Sequence, residues 1–286
     1  MTTTNAGARP VRVLFGYDAS RSAMDAVDTA GRLLPGASAT VLFLWEPPFA
    51  SAELRQRLAS RAQSVDRLID LLEDEGRAEA ERLVAQGVVL ARAAGWDAEP
   101  RVERSFNEGY QLARIAEQDA FDVIVLGSRG MGGAQALLGS TSDLVVHVSR
   151  VPVLVVPAAL MSAERAAAGS GPILIAFDGS PGAEAAAAAA QRLFPGRELE
   201  RVTTAPEGEA HAEGEATLVP LRGRAGSARA VGGTLTEYAA ERGAGAIVVG
   251  SRGRSASREL LLGSVAKAVL HHAHRPVLVV PHPRSA

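Results

Sequence analysis

The strongest constraint on the fold is that the chain carries the same segment twice. Residues 137–157 read LLGSTSDLVVHVSRVPVLVVP and residues 261–281 read LLGSVAKAVLHHAHRPVLVVP; they align without a gap and are identical at 12 of 21 positions. Two further pairs follow in the same order, VRVLFGYDAS (Val11–Ser20) with PILIAFDGS (Pro172–Ser180), and DVIVLGSRG (Asp122–Gly130) with GAIVVGSRG (Gly245–Gly253). Self-similarity of this kind marks a duplicated structural unit. Asp18 pairs with Asp178 at an offset of 160, and Gly127 with Gly250 at an offset of 123, so the second copy is 37 residues shorter between those motifs. The expected division is a disordered stretch 1–10, a first copy at 11–157, a linker at 158–171 and a second copy at 172–282. The linker reading rests on AALMSAERAAAGSG (Ala158–Gly171), a small-residue stretch ending in Gly and Ser.

Within the first copy, short apolar runs alternate with longer helical patterns. Val11–Phe15, Thr40–Trp45, Arg101–Phe106, Val123–Leu126 and Val153–Val156 read as strands. Ser22–Leu34, roughly Ser51–Ala94, Gly109–Gln118 and Ser140–Ser149 read as helices. Near-continuous apolar runs suit strands covered on both faces, and β/α alternation implies a doubly wound parallel α/β sheet. Aromatic residues make up only 4% of the chain against 47% hydrophobic, so the core must be aliphatic. The second copy keeps the first strand, its helix (Ala183–Leu193) and the last two strands. The polar PEGEAHAEGEA (Pro206–Ala216) stands where the long helical region was, and is expected to be a loop. The charged stretch Ala52–Arg92 reads as a solvated helix with i,i+4 pairs.

Several functions are excluded. A net charge of −2 gives no electrostatic footprint for nucleic acid. With no cysteine, disulfides, thiolate–zinc sites and thiol nucleophiles are ruled out. Met1–Pro10 lacks the apolar core of a signal peptide, and no apolar run approaches the ~18 residues of a membrane helix, so a cytoplasmic location away from membranes is expected. The one lysine, Lys267, has no P-loop context, and neither Gly-x-Gly-x-x-Gly after the first strand nor Gly-x-Ser-x-Gly is present. His271, His272 and His274 fall at the end of the last helix, where the helix dipole favours them, and no metal is expected there.

In open α/β sheets ligands bind beyond the carboxyl ends of the strands. Three features of each copy fall there: an acidic residue after the first strand (Asp18, Asp178), Gly-Ser-Arg-Gly after the fourth (127–130, 250–253), and Gly-Ser opening the next helix (Gly139-Ser140, Gly263-Ser264). Glycine lets backbone approach a phosphate closely, and the free amides and dipole of a helix start attract an anion. An aspartate opposite could accept from a ribose hydroxyl or help hold Mg²⁺ on a phosphate. Each feature has a blander reading, since a lone Gly-x-x-Gly is a turn and Asp-x-Ser before a helix is an N-cap. Their repeated combination favours a phosphate site.

Together these segments resemble the universal stress protein family in its tandem two-domain form, over nearly the whole chain. The resemblance implies two Rossmann-like five-stranded sheets of order 3-2-1-4-5, of the adenine nucleotide alpha hydrolase-like type, the second truncated. It implies ATP as a ligand, with Mg²⁺ near Asp18 and Asp178 if a metal accompanies the phosphates. The ATP-binding positions carried over are Asp18, Leu44, Gly127, Gly130, Gly139, Ser140 and Thr141 in the first copy. In the second they are Asp178, Val202, Gly250, Arg252, Gly253, Gly263, Ser264 and Val265. Leu44 and Val202 stand where the family's second strand touches adenine. The family motif Gly-x2-Gly-x9-Gly-Ser is complete at Gly250–Ser264, whereas the first copy has only eight residues between Gly130 and Gly139. The second copy in turn lacks the segment that walls the adenine side, and both copies are expected to bind. Nothing supplies a general base for fast turnover, so a regulatory ligand in stress signalling is expected rather than an enzyme, with slow hydrolysis left open. The alternative is a dimeric interaction protein with vestigial sites. Family members pair through the final strand, so VPVLVVP and RPVLVVP are expected to pair as an intramolecular pseudo-dimer, with a homodimer of the chain as a further step.

Overall fold

The structure, a computed structural model, describes residues 9–46, 52–62, 64–128, 138–205, 216–221, 227–253 and 262–282. Gly130 and nearly all of the expected loop Pro206–Ala216 lie outside the described residues. The first half runs β1 (Arg12–Gly16), α1 (Arg21–Leu33), β2 (Ser38–Trp45), α2 (Ala52–Ala59), α3 (Val65–Ala93), β3 (Asp97–Arg104), α4 (Glu108–Gln118), β4 (Val123–Gly127), α5 (Ser140–Val148) and β5 (Val153–Val156). Helix α6 (Ser162–Ser170) leads into the second half. There β6 (Ile173–Ala176), α7 (Pro181–Leu193), β7 (Leu199–Ala205), β8 (Thr217–Pro220), α8 (Ala228–Glu241), β9 (Ala246–Gly250), α9 (Ser264–His272) and β10 (Val277–Val280) follow.

All strands run parallel within each half, in the order 3-2-1-4-5 and its counterpart β8-β7-β6-β9-β10. The halves fuse into one ten-stranded sheet. At the seam β5 and β10 pair antiparallel, with Val153 opposite Val279, Leu154 opposite Leu278 and Val155 opposite Val277. The two closing strands thus satisfy each other's open edges, as their apolar sequences led one to expect. The aliphatic core splits into a layer on each face. Helices α1, α3, α6 and α7 cover one side, packing on Val13, Phe15, Leu154, Ile175 and Leu278. Helices α4, α5, α8 and α9 cover the other, packing on Leu14, Ile124, Val155, Ile247 and Val277.

Local differences from the sequence-based expectation have physical causes. Strand β3 starts at Asp97 rather than Arg101 and includes Pro100. It lies at the outer edge of the sheet, where a missing N–H is tolerated. The long helical region breaks before Ser64, whose hydroxyl caps α3 by accepting from the Arg67 amide at 3.2 Å. Helix α3 is solvated on one side only, since Leu72, Ala80, Val84, Val88 and Ala91 are buried. Its charged side carries i,i+3 pairs such as Glu79–Arg82 and Arg67–Asp70, each worth a few tenths of a kcal/mol. The stretch expected as a linker contains α6, whose Ala168 is fully buried and whose end is tied down by Arg197 donating to the carbonyls of Ala168 (2.9 Å) and Gly171 (3.2 Å).

The second half also has strands two and three, which the family resemblance implied and its apolar pattern hid. Register explains why. Gly16 pairs with Leu42 and Ala176 with Val202, so Val41, Phe43 and Trp45 of β2 correspond to Arg201, Thr203 and Ala205 of β7. In the first half those three residues are buried in the layer that includes α3. In the second half the corresponding face is polar, and Arg201 lies 4.7 Å from the Phe177 ring centroid and 3.7 Å from Glu184. Strand β7 therefore lacks the two-sided apolar run of a buried parallel strand.

Candidate functional site

The turn after the first strand is built alike in both halves. The Asp18 carboxylate accepts from the Ser20 amide at 2.9 Å, and that of Asp178 from the Ser180 amide at 3.0 Å. Ser20 and Ser180 then cap α1 and α7 through the amides of Ala23 and Ala183. The residue between must take positive φ. Gly179 does so at 72° without strain, whereas Ala19 does so at 60°, which costs about 1–2 kcal/mol. The serines thus act as N-caps and the aspartates shape the turn.

The end of the fourth strand is pinned by a serine not singled out from the sequence. The Ser251 amide donates to the Val280 carbonyl (2.7 Å), its carbonyl accepts from the Gly263 amide (2.7 Å), and its hydroxyl accepts from the His282 amide (3.0 Å). Ser128 makes the same three bonds with Val156, Gly139 and Ala158, at 2.8, 2.6 and 3.0 Å. One serine in each half, buried at Ser128 and half-buried at Ser251, thereby fixes the strand end, the next strand and the glycine opening the following helix. The repeated Ser of Gly-Ser-Arg-Gly was the signal for it.

Around this frame the second half forms a cleft of about 380 Å³. It brings together every candidate residue of that half: Asp178, Val202, Gly250, Arg252, Gly253, Gly263, Ser264 and Val265. The glycines serve close approach. A Cβ on Gly253 would stand 2.7 Å from Asp178 Oδ2, and one on Gly250 would stand 2.7 Å from the Gly182 carbonyl oxygen. Gly263 caps α9 with no side-chain bond to the first-turn amides, so the helix start faces the cleft bare. The apolar wall includes Val231 and Leu235 of α8, which sequence reasoning missed because nothing in either residue marks it as facing a ligand. The cleft joins a bare helix start and an arginine to an apolar wall and a carboxylate, a combination suited to a small amphiphilic anion.

The first half places its candidates at corresponding points. Asp18 follows β1, Gly127 ends β4, and Gly139, Ser140 and Thr141 open α5. Gly127 packs on Ser22, where a Cβ would come within 2.6 Å of the hydroxyl oxygen, and its carbonyl accepts from Ser142 Oγ at 2.8 Å. Thr141 Oγ1 donates to Glu108 Oε2 at 3.0 Å. Leu44 and Val202 are not equivalent, because the parallel register matches Val202 with Leu42 and Leu44 with Thr204. At the β1 end, Tyr17 replaces Phe177. Its hydroxyl is buried with no hydrogen-bond partner among the described residues, and burial, then the neighbouring Asp18 charge, pushes its pKa up.

Among the described residues no group of three or more His, Asp or Glu side chains is arranged to hold a metal ion. Nor, among those residues, is any helix long and apolar enough to cross a membrane.

Comparison with known proteins agrees with this architecture. The model of the universal stress protein family matches residues 11–157 and 195–281. A universal stress protein of Mycobacterium tuberculosis is 32% identical over 244 residues, covering 72% of this chain and 77% of that protein. One from Mycolicibacterium smegmatis is 28% identical over 302 residues, covering 94% and 96%. A crystal structure of a universal stress protein from Archaeoglobus fulgidus shares the fold with a TM-score of 0.65 at 21% identity, covering 95% of this chain and 96% of that one. With the model matching both halves, the chain belongs to the universal stress protein family.

Proposed function

We propose that this protein binds an adenine nucleotide, ATP in the first instance, as a regulatory ligand rather than a substrate. The observation that carries this reading is the 380 Å³ cleft of the second half, which gathers a bare helix start, three close-approach glycines, Arg252 and Asp178 on one side and an apolar wall on the other. Phosphates fit the amides opening α9, with Gly250, Gly253 and Gly263 leaving room for them. The base fits against Val202 and Leu235, away from the α9 start, and Asp178 suits a ribose hydroxyl or a Mg²⁺ carried in on the phosphates. Asp178, the one carboxylate of the cleft among the described residues, already accepts a backbone amide while shaping its turn, which favours holding a nucleotide over activating water. A cytoplasmic stress-response role, and a homodimer built on some surface other than the seam, belong to the same reading.

Calorimetric titration of the full chain with ATP, together with mass spectrometry of small molecules released from freshly purified protein, tests it. Binding is expected, and Gly263→Trp should abolish it with the circular dichroism spectrum unchanged. No co-purifying nucleotide and no heat at millimolar ATP would overturn the reading in favour of an interaction protein with vestigial sites.

A further inference from the structure

We infer that the two halves are electrostatically inverted at the phosphate end, so that only the second takes a nucleotide and Glu108 closes the first to anions. This rests on the nucleotide reading above. The helix pairs α4/α5 and α8/α9 touch at corresponding positions, although α8 starts three residues earlier than α4. A Cβ on Gly109 would meet Leu144 (2.8 Å), and one on Gly232 would meet Ala268 (2.6 Å), the matching position when Ser140 is aligned with Ser264. Glu108 is therefore the counterpart of Val231, Thr141 of Val265, and Asp143 of Lys267.

In the second half Val231 and Val265 line the cleft, and the first turn of α9 holds no acidic residue. In the first half the same positions hold a hydrogen-bonded Glu108–Thr141 pair, and Asp143 lies in the first turn of α5. Two carboxylates thus stand where the other half has a valine and a lysine. Both favour the positive end of the α5 dipole, supplying from within the chain the negative charge a phosphate would bring. Thr141 lies in the first turn of α5, so its bond to Glu108 sets that carboxylate beside the amides a phosphate would take. Like charges set so close weaken binding about tenfold or more, at effective dielectric constants between those of a protein surface and water. The loop that is one residue short between Gly130 and Gly139 lies on the same half.

The test is ATP titration of the full chain and of two exchanged chains, followed by calorimetry. Wild type should bind one ATP. Glu108→Val/Thr141→Val/Asp143→Lys should bind two, or bind the second at least tenfold more tightly than wild type does. Val231→Glu/Val265→Thr/Lys267→Asp should lose the wild-type site while keeping its melting temperature within a few degrees. Two sites in wild type would overturn the inference and leave the nucleotide reading standing. So would one site that survives the Val231→Glu exchange, or a first-half exchange that changes nothing. No binding by any of the three chains would remove the nucleotide reading itself.

Discussion

Leu278 on β10 is the residue through which to ask whether the ten-stranded sheet folds as one unit. It is fully buried at the seam, opposite Leu154, in a core layer shared with Val13 and Phe15 of the first half. Leu278→Ala removes three carbons. At ~0.8 kcal/mol each that is about 2.4 kcal/mol of lost transfer energy, and the residual cavity brings the total to about 3–4 kcal/mol. The chain holds two tryptophans, Trp45 and Trp96, both buried in the first half. Tryptophan fluorescence therefore reports on the half that does not carry the substitution, while far-ultraviolet circular dichroism reports on both. With a urea dependence of about 3 kcal/mol per molar, the midpoint should fall by about 1 M in both signals together. A fluorescence midpoint that stays at the wild-type value while the dichroism splits into two steps would refute the single-unit argument. The seam would then be a contact between independently folding halves.

Arg275 is only 8% exposed, and its Nε and Nη1 have no hydrogen-bond partner among the described residues, while the first half has Val151 at the corresponding position. Arg275→Val should raise stability by about 1–3 kcal/mol and the melting temperature by a few degrees, and a lower melting temperature would show that the guanidinium has a partner in solution. The Glu200 pKa is lowered: burial alone would raise it, but hydrogen bonds from the Tyr238 hydroxyl (2.6 Å) and Arg242 Nε (3.0 Å) outweigh that. Its stabilisation is fully present above the ordinary glutamate range and is lost as pH falls through the depressed folded value. The gap in melting temperature between wild type and Glu200→Gln should thus be widest near neutrality and shrink below about pH 4.5, and a gap that grew with acid would reverse the assignment.

The duplication was legible in the identity of the two closing segments, and β1, β4 and β5 in valine-rich runs that are apolar on both faces, as in a parallel sheet; the strand order came only with the family resemblance. Strands β7 and β8 were not legible in this way, because losing α3 left LERVTTA apolar on one face and polar on the other. The equivalence of Leu44 and Val202 failed for a related reason. No motif sits on β2 or β7, so only the pairing of Gly16 with Leu42 and of Ala176 with Val202 sets their alignment. The candidate residues of the second half were named from the motif and the family resemblance, and all of them line the cleft. Val231 and Leu235 of its apolar wall were not foreseen, and neither was the Glu108–Thr141 contact, which joins residues 33 apart in sequence.

The antiparallel seam between β5 and β10 has a consequence for evolution. In a dimer of separate chains, one gene writes both halves, so a substitution that spoils one ligand cleft spoils both. Such an assembly also comes apart on dilution. Here the same pairing lies within one chain and at a fixed effective concentration. The outer strands are guarded by Pro100 and the charges of β3 at one margin and by Pro220 at the other, so the sheet does not need a second chain to cover an edge. Fusion thus frees each half from the symmetry that would bind it to its twin. One half could lose a long helix and keep its cleft, while the other kept the helix and acquired carboxylates.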